Sequence, residues 1–455
     1  MHDSFLPSAR SPQQWMELDN QAVWHPFTPM RQWQGDSNEL GRVIVDGDGF
    51  ELIDAQGRRF IDGFASLWCN LHGHRVPAID DAIRKQLEHI AHTTMLGHTS
   101  VPAIRLAEKL VEISPAGLDK VFYSDSGATA VEVAMKMAYQ YYYNRGEGTR
   151  SRFIAIRNSY HGDTIGSVSL GGIGLFHRIF KPLLFEAHFV DSPCEFYHPA
   201  GEKAMDVSLG QMRSLLEDYR GEVCAVILEP LMQGAAGMLK HPEGYLRAVR
   251  ELTHEFGVKL IVDEVATGFC STGKMFACDH EDVSPDLLCL GKKITGGYLP
   301  IAATLATQDI FDAFCGEIDE GKTFYHGHTY TGNALGCAAA VAALELIDET
   351  NLLDALPAKV DLITTKLDAV REHPNVGDIR QVGLMTGIEL VASDARAFDP
   401  ASRTGAAICL AARQHGIIIR PLGDVIVLMP APAMDLATLE RLLDATIQTI
   451  VDYFA

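Results

Sequence analysis

Two lysines, Lys292 and Lys293, stand side by side in LCLGKKITGGYLP, between an apolar run and a pair of glycines. A lysine taken out of water sheds its proton more readily and becomes an amine nucleophile, so a buried lysine behind a strand is a candidate for covalent chemistry. Composition and periodicity do not separate the two. Upstream, KLIVDEVATGF puts Asp263 and Glu264 at the end of another apolar run. Adjacent strand residues point to opposite faces, so only one of these carboxylates can face a ligand. A carboxylate buried there needs a cation or donors, because desolvation otherwise favours its neutral form. A protonated pyridine nitrogen is one such cation, and an N-capping role is the commoner alternative.

In RFIAIRNSYHGDT, Tyr160 and His161 precede a glycine, where an aromatic ring can stack on a planar ligand or pack a loop on the sheet. In VFYSDSGATAVEVAMKMAYQYY, Ser124, Asp125, Ser126 and Gly127 lead into a helix with Val131, Met135, Ala138 and Tyr142 on one face. Its first N–H groups suit a phosphate as well as an ordinary cap.

The elements that must hold these residues are visible as short apolar runs, KVFYS, RFIAI, CAVILEP, KLIVDEV and DLLCL, alternating with helical patterns between about residues 120 and 310. That alternation marks an α/β domain with a mostly parallel sheet, and such sheets place ligands beyond the carboxyl ends of their strands. EGYLRAVRELTHEFG sets Leu246, Val249, Leu252 and Phe256 on one face, with Gly257 as the stop, which predicts a crossover helix. A phosphate cradle, an aromatic, a buried aspartate and a lysine, in that order after successive strands, meet the requirements of pyridoxal phosphate. No nucleotide P-loop occurs, and SLGGIGLF lacks the full dinucleotide fingerprint. The His-x-His pairs in LHGHR and YHGHTY have no carboxylate or Cys set at zinc spacing, so no metal is assigned.

A chain of 455 residues with 47% hydrophobic content and a formal charge of −21 can bury a large core and repels phosphate backbones and anionic lipid. Small molecules, not nucleic acid or membrane, are the expected partners. Nine scattered cysteines, never spaced Cys-x-x-Cys, read as buried thiols of a reducing compartment. The N-terminus has no signal-peptide pattern, and no apolar run is long enough to cross a bilayer, so the expected location is cytoplasmic.

After about residue 335 the texture changes to a small-residue helix, NALGCAAAVAALELI, and ends in GIIIRPLGDVIVLMP, which reads as two strands joined around Pro-Leu-Gly-Asp. The expected organisation is a segment 1–70 packing with a small α+β domain at 336–455, and a large domain at 71–335.

Taken together, WHPFTPM, DGFASLWCNLHGH, SDSGATAVEVAMKMA, NSYHGDTIG, EPLMQGAAGM, DEVATGF, GKKITGGYLP, HGHTYTGN and IRPLGDVIVLMP resemble the class-III aminotransferases of pyridoxal-phosphate fold type I, across nearly the whole chain. The family pattern Gly-Lys-x-x-Thr-Gly-Gly matches Gly291 to Gly297 and so implies that Lys292 is the lysine that bonds the cofactor. The resemblance further assigns Asp263 to the pyridine nitrogen, Tyr160 to ring stacking with His161 beside it, and Ser126, Gly127 and Ala128 to the phosphate. Gln233 is assigned to the ring oxygen and Val265 to the other ring face. Thr329, with His328, is assigned to the phosphate of a neighbouring subunit, which implies a homodimer. Arg420 is implied to receive a substrate carboxylate, and Phe27, Leu67, Trp68, Tyr160 and Gly327 to line the substrate site.

Within the class the segments look most similar to the diaminononanoate synthases, which implies transamination of 8-amino-7-oxononanoate in biotin biosynthesis. The alternative is a broad ω-amino acid or amine:pyruvate transaminase. Several segments look more like the branch that takes its amino group from lysine than the branch that uses S-adenosylmethionine. Three positions depart from the family pattern: Phe27 for a tyrosine, Leu67 beside Trp68 for paired tryptophans, and Ser271 in FCSTG for an arginine.

Overall fold

The apolar runs pair into one seven-stranded sheet. The structure, a computed structural model, describes residues 10–35 and 41–455. In chain order the strands are β1 (Leu118–Ser124), β2 (Arg152–Ile156), β3 (His188–Val190), β4 (Val223–Leu228), β5 (Lys259–Asp263), β6 (Leu287–Leu290) and β7 (Ala302–Thr307). Their spatial order is β1-β7-β6-β5-β4-β2-β3. Only β7 runs against its neighbours, pairing antiparallel with both β6 and β1. The sheet is therefore mostly parallel, as its strand composition requires: β4, β5 and β6 are buried at every residue, because both faces are covered.

The two coverings follow the period of two along a strand. Ala225, Ile227, Ile261, Leu287 and Cys289 face helix α1 (Gly127–Asn144), which buries Ala130, Val131, Ala134, Met135, Ala138 and Tyr142. Val226, Leu228, Leu260, Val262 and Leu288 face the other way, in one core with Leu246, Val249 and Leu252 of α2 (Tyr245–Glu255). Gly257 follows α2 with φ +61, the left-handed stop its position demands. Two strands, β3 and β7, escape the sequence pattern. The first spans three residues and half of the second is alanine, a residue depleted in strands.

Outside this sheet, Ile44–Asp48, Glu51–Asp54 and Arg59–Asp62 form a meander whose last strand pairs in parallel with Ile417–Ile418. Arg420–Leu422 then turns back on Val425–Leu428, the hairpin expected around Pro-Leu-Gly-Asp, and joins Val376–Val382 and Met385–Leu390 in a four-stranded antiparallel sheet. The small-residue segment is helix α3 (Ala334–Glu349), capped by Asn333.

All nine cysteines are free thiols. Seven are buried, Cys69 is half-buried and Cys315 is exposed. The expectation of buried thiols therefore fails at Cys315, which follows a short surface helix (Gln308–Asp312) after β7. No helix among the described residues is long and apolar enough to cross a membrane.

Leu246 is fully buried between α2 and the sheet. Leu246→Ala is expected to lower stability by about 2–5 kcal/mol through the cavity it leaves, seen as a lower urea midpoint at unchanged slope. A shift below about 0.5 kcal/mol would show that α2 does not form the crossover packing described.

Candidate active site

The carboxyl ends of β1, β2, β4, β5 and β6 converge on a cavity of about 500 Å³. Its wall includes Trp68, Ser126, Gly127, Ala128, Tyr160, His161, Glu229, Asp263, Val265 and Lys292. All but Trp68, which comes from a turn at residues 65–68, stand at or follow the end of a sheet strand, where the chain leaves the ladder and side chains are free to face a ligand.

Asp263 ends β5 and is buried. His161 donates from Nδ1 to Asp263 Oδ2 at 2.8 Å, and the N–H of Val265 donates to Oδ1 at 3.0 Å. Its neighbour Glu264 faces away and accepts from the N–H groups of Ala277 and Cys278 and from the Thr267 hydroxyl. Of the two adjacent carboxylates, one therefore serves the cavity and the other ties down a loop.

Glu229, at the end of β4, accepts from the N–H of Tyr160 at 2.9 Å and of Gly234 at 3.0 Å. Burial pushes its carboxyl up to about 7. The Tyr160 hydroxyl donates to Asp163 at 2.6 Å, and burial with that contact raises the phenol above its ordinary range. Lys292 is half-buried, with Nζ 5.3 Å from the centre of the Trp68 ring. Burial pulls its ammonium below the usual lysine range, opposed by Asp263 and then Glu229. Lys293, in contrast, turns away from the cavity and is 1% exposed.

At the other end, Ser126 caps α1 by a reciprocal pair of contacts with Thr129. The first N–H groups of an 18-residue helix then face the cavity with the positive end of its dipole.

The class-III aminotransferase family model matches residues 34–451. The chain belongs to the class-III aminotransferases. Among its relatives, the adenosylmethionine-8-amino-7-oxononanoate aminotransferase of Nitratidesulfovibrio vulgaris is 52% identical over 433 residues, covering 93% of this chain and 79% of that protein. The solved adenosylmethionine-8-amino-7-oxononanoate aminotransferase of Methanocaldococcus jannaschii matches with a TM-score of 0.91 at 43% identity, over 97% of this chain and 99% of that one. An (S)-enantioselective omega-transaminase from Thermomicrobium roseum reaches a TM-score of 0.92 at 30% identity, over 98% of this chain and 99% of that one. The fold is that of the type-I transaminases.

The cofactor of class-III aminotransferases is pyridoxal 5′-phosphate, and the residues present fit it. A Cβ on Gly127 would lie 2.4 Å from Val265 Cγ1, and one on Gly162, at φ +115, would lie 2.3 Å from the Ala128 Cβ. These absences of side chain bring helix backbone to the cavity surface, as a phosphate cradle requires. Asp263 supplies a buried carboxylate for a ring cation, while His161 Nε2 is buried without a partner among the described residues. Tyr160 and Val265 line the space between, and Lys292 supplies the amine.

The remaining sequence-derived candidates lie off this cavity. Gln233 is fully buried, its amide engaged by Ser192, Ser159 and the carbonyl of Arg157. Phe27 reaches the cavity indirectly, its ring 5.4 Å from Phe176, which is in turn 6.4 Å from Tyr160. Leu67 is 48% exposed. Gly327 and Thr329 are exposed, and His328 Nδ1 lies 3.3 Å from Asp125. Arg420 has no carboxylate partner among the described residues and lies within electrostatic reach of Tyr160.

Glu229 is the functional residue that the sequence reading missed. The signal was present, since it follows the apolar run CAVIL as Asp263 follows LIV. No His, Cys, Asp and Glu cluster fit to hold a metal occurs among the described residues.

The raised Glu229 carboxyl has a consequence for stability. Between about 4.5 and 7 the folded chain holds a proton that the unfolded chain releases, so its contribution is complete below 4.5 and lost as pH rises through 7. Glu264, also pushed up to about 7, acts in the same direction. Glu229→Gln is expected to make the fall in Tm between pH 5 and pH 8 shallower. An unchanged slope would place Glu229 in the ordinary carboxylate range.

Proposed function

We propose that this aminotransferase converts 8-amino-7-oxononanoate to 7,8-diaminononanoate in biotin biosynthesis. The supporting observation is a contrast between two likenesses. Fold similarity is equal toward the biotin-pathway enzyme and the omega-transaminase, with TM-scores of 0.91 and 0.92, whereas identity to relatives named for the oxononanoate reaction rises to 52%. At equal backbone, the extra identity lies in side chains.

When bound, pyridoxal 5′-phosphate supplies an aldehyde that carries the amino group and a protonated ring that accepts electrons. Ser126, Gly127 and Ala128 hold its phosphate with helix N–H groups. Asp263 keeps the ring nitrogen protonated, and His161 fixes the carboxylate that does so. Tyr160 and Val265 confine the ring. Lys292 Nζ, made less basic by burial, takes the proton from the amine-bearing carbon of the donor and delivers one to carbon 7 of the acceptor. Arg420, a cation with no carboxylate partner among the described residues, receives the acceptor's own carboxylate through its forked guanidinium.

A homodimer in which His328 and Thr329 complete the partner's phosphate site is part of this reading. Its support is exposed apolar and aromatic surface: Leu96 is 85% exposed, Val101 69%, Tyr325 83% and Tyr330 59%. The expected solution mass is twice the 49.8 kDa of the chain.

On the donor, two indications diverge. Several motifs resemble the lysine-using branch, while the relatives carry adenosylmethionine in their names. A half-reaction with the yellow holoenzyme separates them: lysine, S-adenosylmethionine, alanine, β-alanine and an aryl amine are each mixed with it, and the cofactor absorbance is followed. Conversion by lysine or S-adenosylmethionine alone, with return on adding 8-amino-7-oxononanoate, is the expected result. Conversion mainly by alanine or the aryl amine, without that return, would favour the omega-transaminase.

Lys292 is tested separately. Borohydride reduction of the holoenzyme is expected to leave the cofactor mass on the peptide containing Lys292. In Lys292→Ala that label is expected to vanish and turnover to fall by at least about 10³-fold. A label on Lys293 instead would reverse the assignment.

A further inference from the structure

Lys293 raises the question of why a lysine amine is buried at all. Its Nζ donates to the carbonyl of Trp68 and to Ser271 Oγ, both at 2.9 Å. The titratable groups around it are Lys292, Cys69 and Cys270. Burial raises both thiols, Cys270 to about 12, so neither supplies an anion at neutral pH. Burial without a counter-charge pulls the Lys293 ammonium down to about 7, and a methionine would fill the same volume. Its two acceptors therefore carry the explanation.

The first acceptor closes an unusual piece of backbone. Ala65, Ser66, Leu67 and Trp68 have φ of +50, +48, +70 and +69, a left-handed turn built wholly of L-residues other than glycine. Each is opposed by contact between Cβ and backbone, so the turn exists only because its surroundings impose it. At its start, Asp62 accepts from the Ser66 N–H at 3.0 Å and hydroxyl at 2.7 Å. At its end, the Trp68 carbonyl is held by Lys293.

The second acceptor is itself anchored. Ser271 Oγ donates to the Gly268 carbonyl at 2.8 Å, and the Ser271 carbonyl accepts from Leu384 N–H at 2.9 Å. Gly383 packs so closely there that a Cβ would lie 2.1 Å from the Thr272 carbonyl carbon. Lys293 is thus a cross-tie from a strained turn to a fixed loop. What the turn delivers is the Trp68 indole, which walls the cavity beside Lys292 and presses on Gly234.

We propose that Lys293 is a positioning residue for substrate: by tying the Trp68 carbonyl to the Ser271 loop, it holds the left-handed turn that sets the indole against the reacting end of the cavity. This deepens the reading given above and rests on it for which end reacts.

The test reads the indole directly. Holoenzyme labelled with 5-fluorotryptophan gives a 19F resonance for Trp68, assigned by its loss in Trp68→Phe. In Lys293→Met that resonance is expected to shift or broaden, and KM for the oxononanoate acceptor to rise about tenfold or more while kcat stays within about threefold. Ser271→Arg combined with Lys293→Ala, which brings a cation into the same space from the opposite wall, is expected to recover much of the lost KM. An unmoved resonance in a folded Lys293→Met overturns the proposal. So does a moved resonance with unchanged KM, which would leave Lys293 a structural tie only. Should Lys293→Met fail to fold, Ser271→Ala removes one acceptor more gently, and an unmoved resonance there is equally fatal. Because the resonance is read without turnover, a failure of the Lys292 assignment would not be mistaken for a failure of this one.

Discussion

A charge taken out of water must be met by donors or by an opposite charge, and the site is organised around that demand at Asp263. The carboxylate sits at the end of a fully buried strand, where water cannot answer it. One oxygen is met by a histidine from the loop after β2, two strands along the sheet, and the other by the chain's own turn. What is left facing the cavity is a negative charge whose natural complement is a cationic ring. The same demand explains Glu229, which gathers two backbone N–H groups and in doing so fixes the loop that carries Tyr160. Removing either carboxylate would release a neighbouring strand end as well as a charge.

Parallel strands make this convergence possible. Five strand ends open in one direction, so residues far apart in sequence share one rim. Helix α1 begins at that rim because β1 runs in the same sense as β2, β4, β5 and β6, with the antiparallel β7 inserted between. Two glycines then let backbone approach where side chains would collide. Sheet direction, helix dipole and missing Cβ atoms thus act together, and none alone makes a phosphate site.

Much of this could be read from residue order. Long apolar runs such as VCAVIL and KLIVD announced buried strands, and the polar residues just beyond them announced the rim. The helix faces of α1 and α2 followed from spacing alone. Legibility ended where long-range packing decides. The neighbours Lys292 and Lys293 have the same chemistry and differ only in which way a short helical turn points them, which only the family pattern could indicate. β7 was invisible because its residues are small and its pairing is set by β1 and β6. No sequence rule foretells four consecutive left-handed residues at 65–68, since local preference opposes them and distant partners impose them.

The parallel pairing of Arg59–Asp62 with Ile417–Ile418 also governs when the site can come into being. Asp62 begins the turn that carries Trp68, and its own strand finds a partner only in a segment near the far end of the chain. Gly63 is packed under Ile419 and Leu442, closer still to that end. During synthesis the large sheet has all its strands in hand long before this happens, and can condense around α1 and α2 as it emerges. The indole wall has to wait. A nascent chain therefore passes through a stage with its cofactor-facing rim in place and its substrate wall unfinished, because the strand that pairs with Arg59–Asp62 follows every strand of the large sheet.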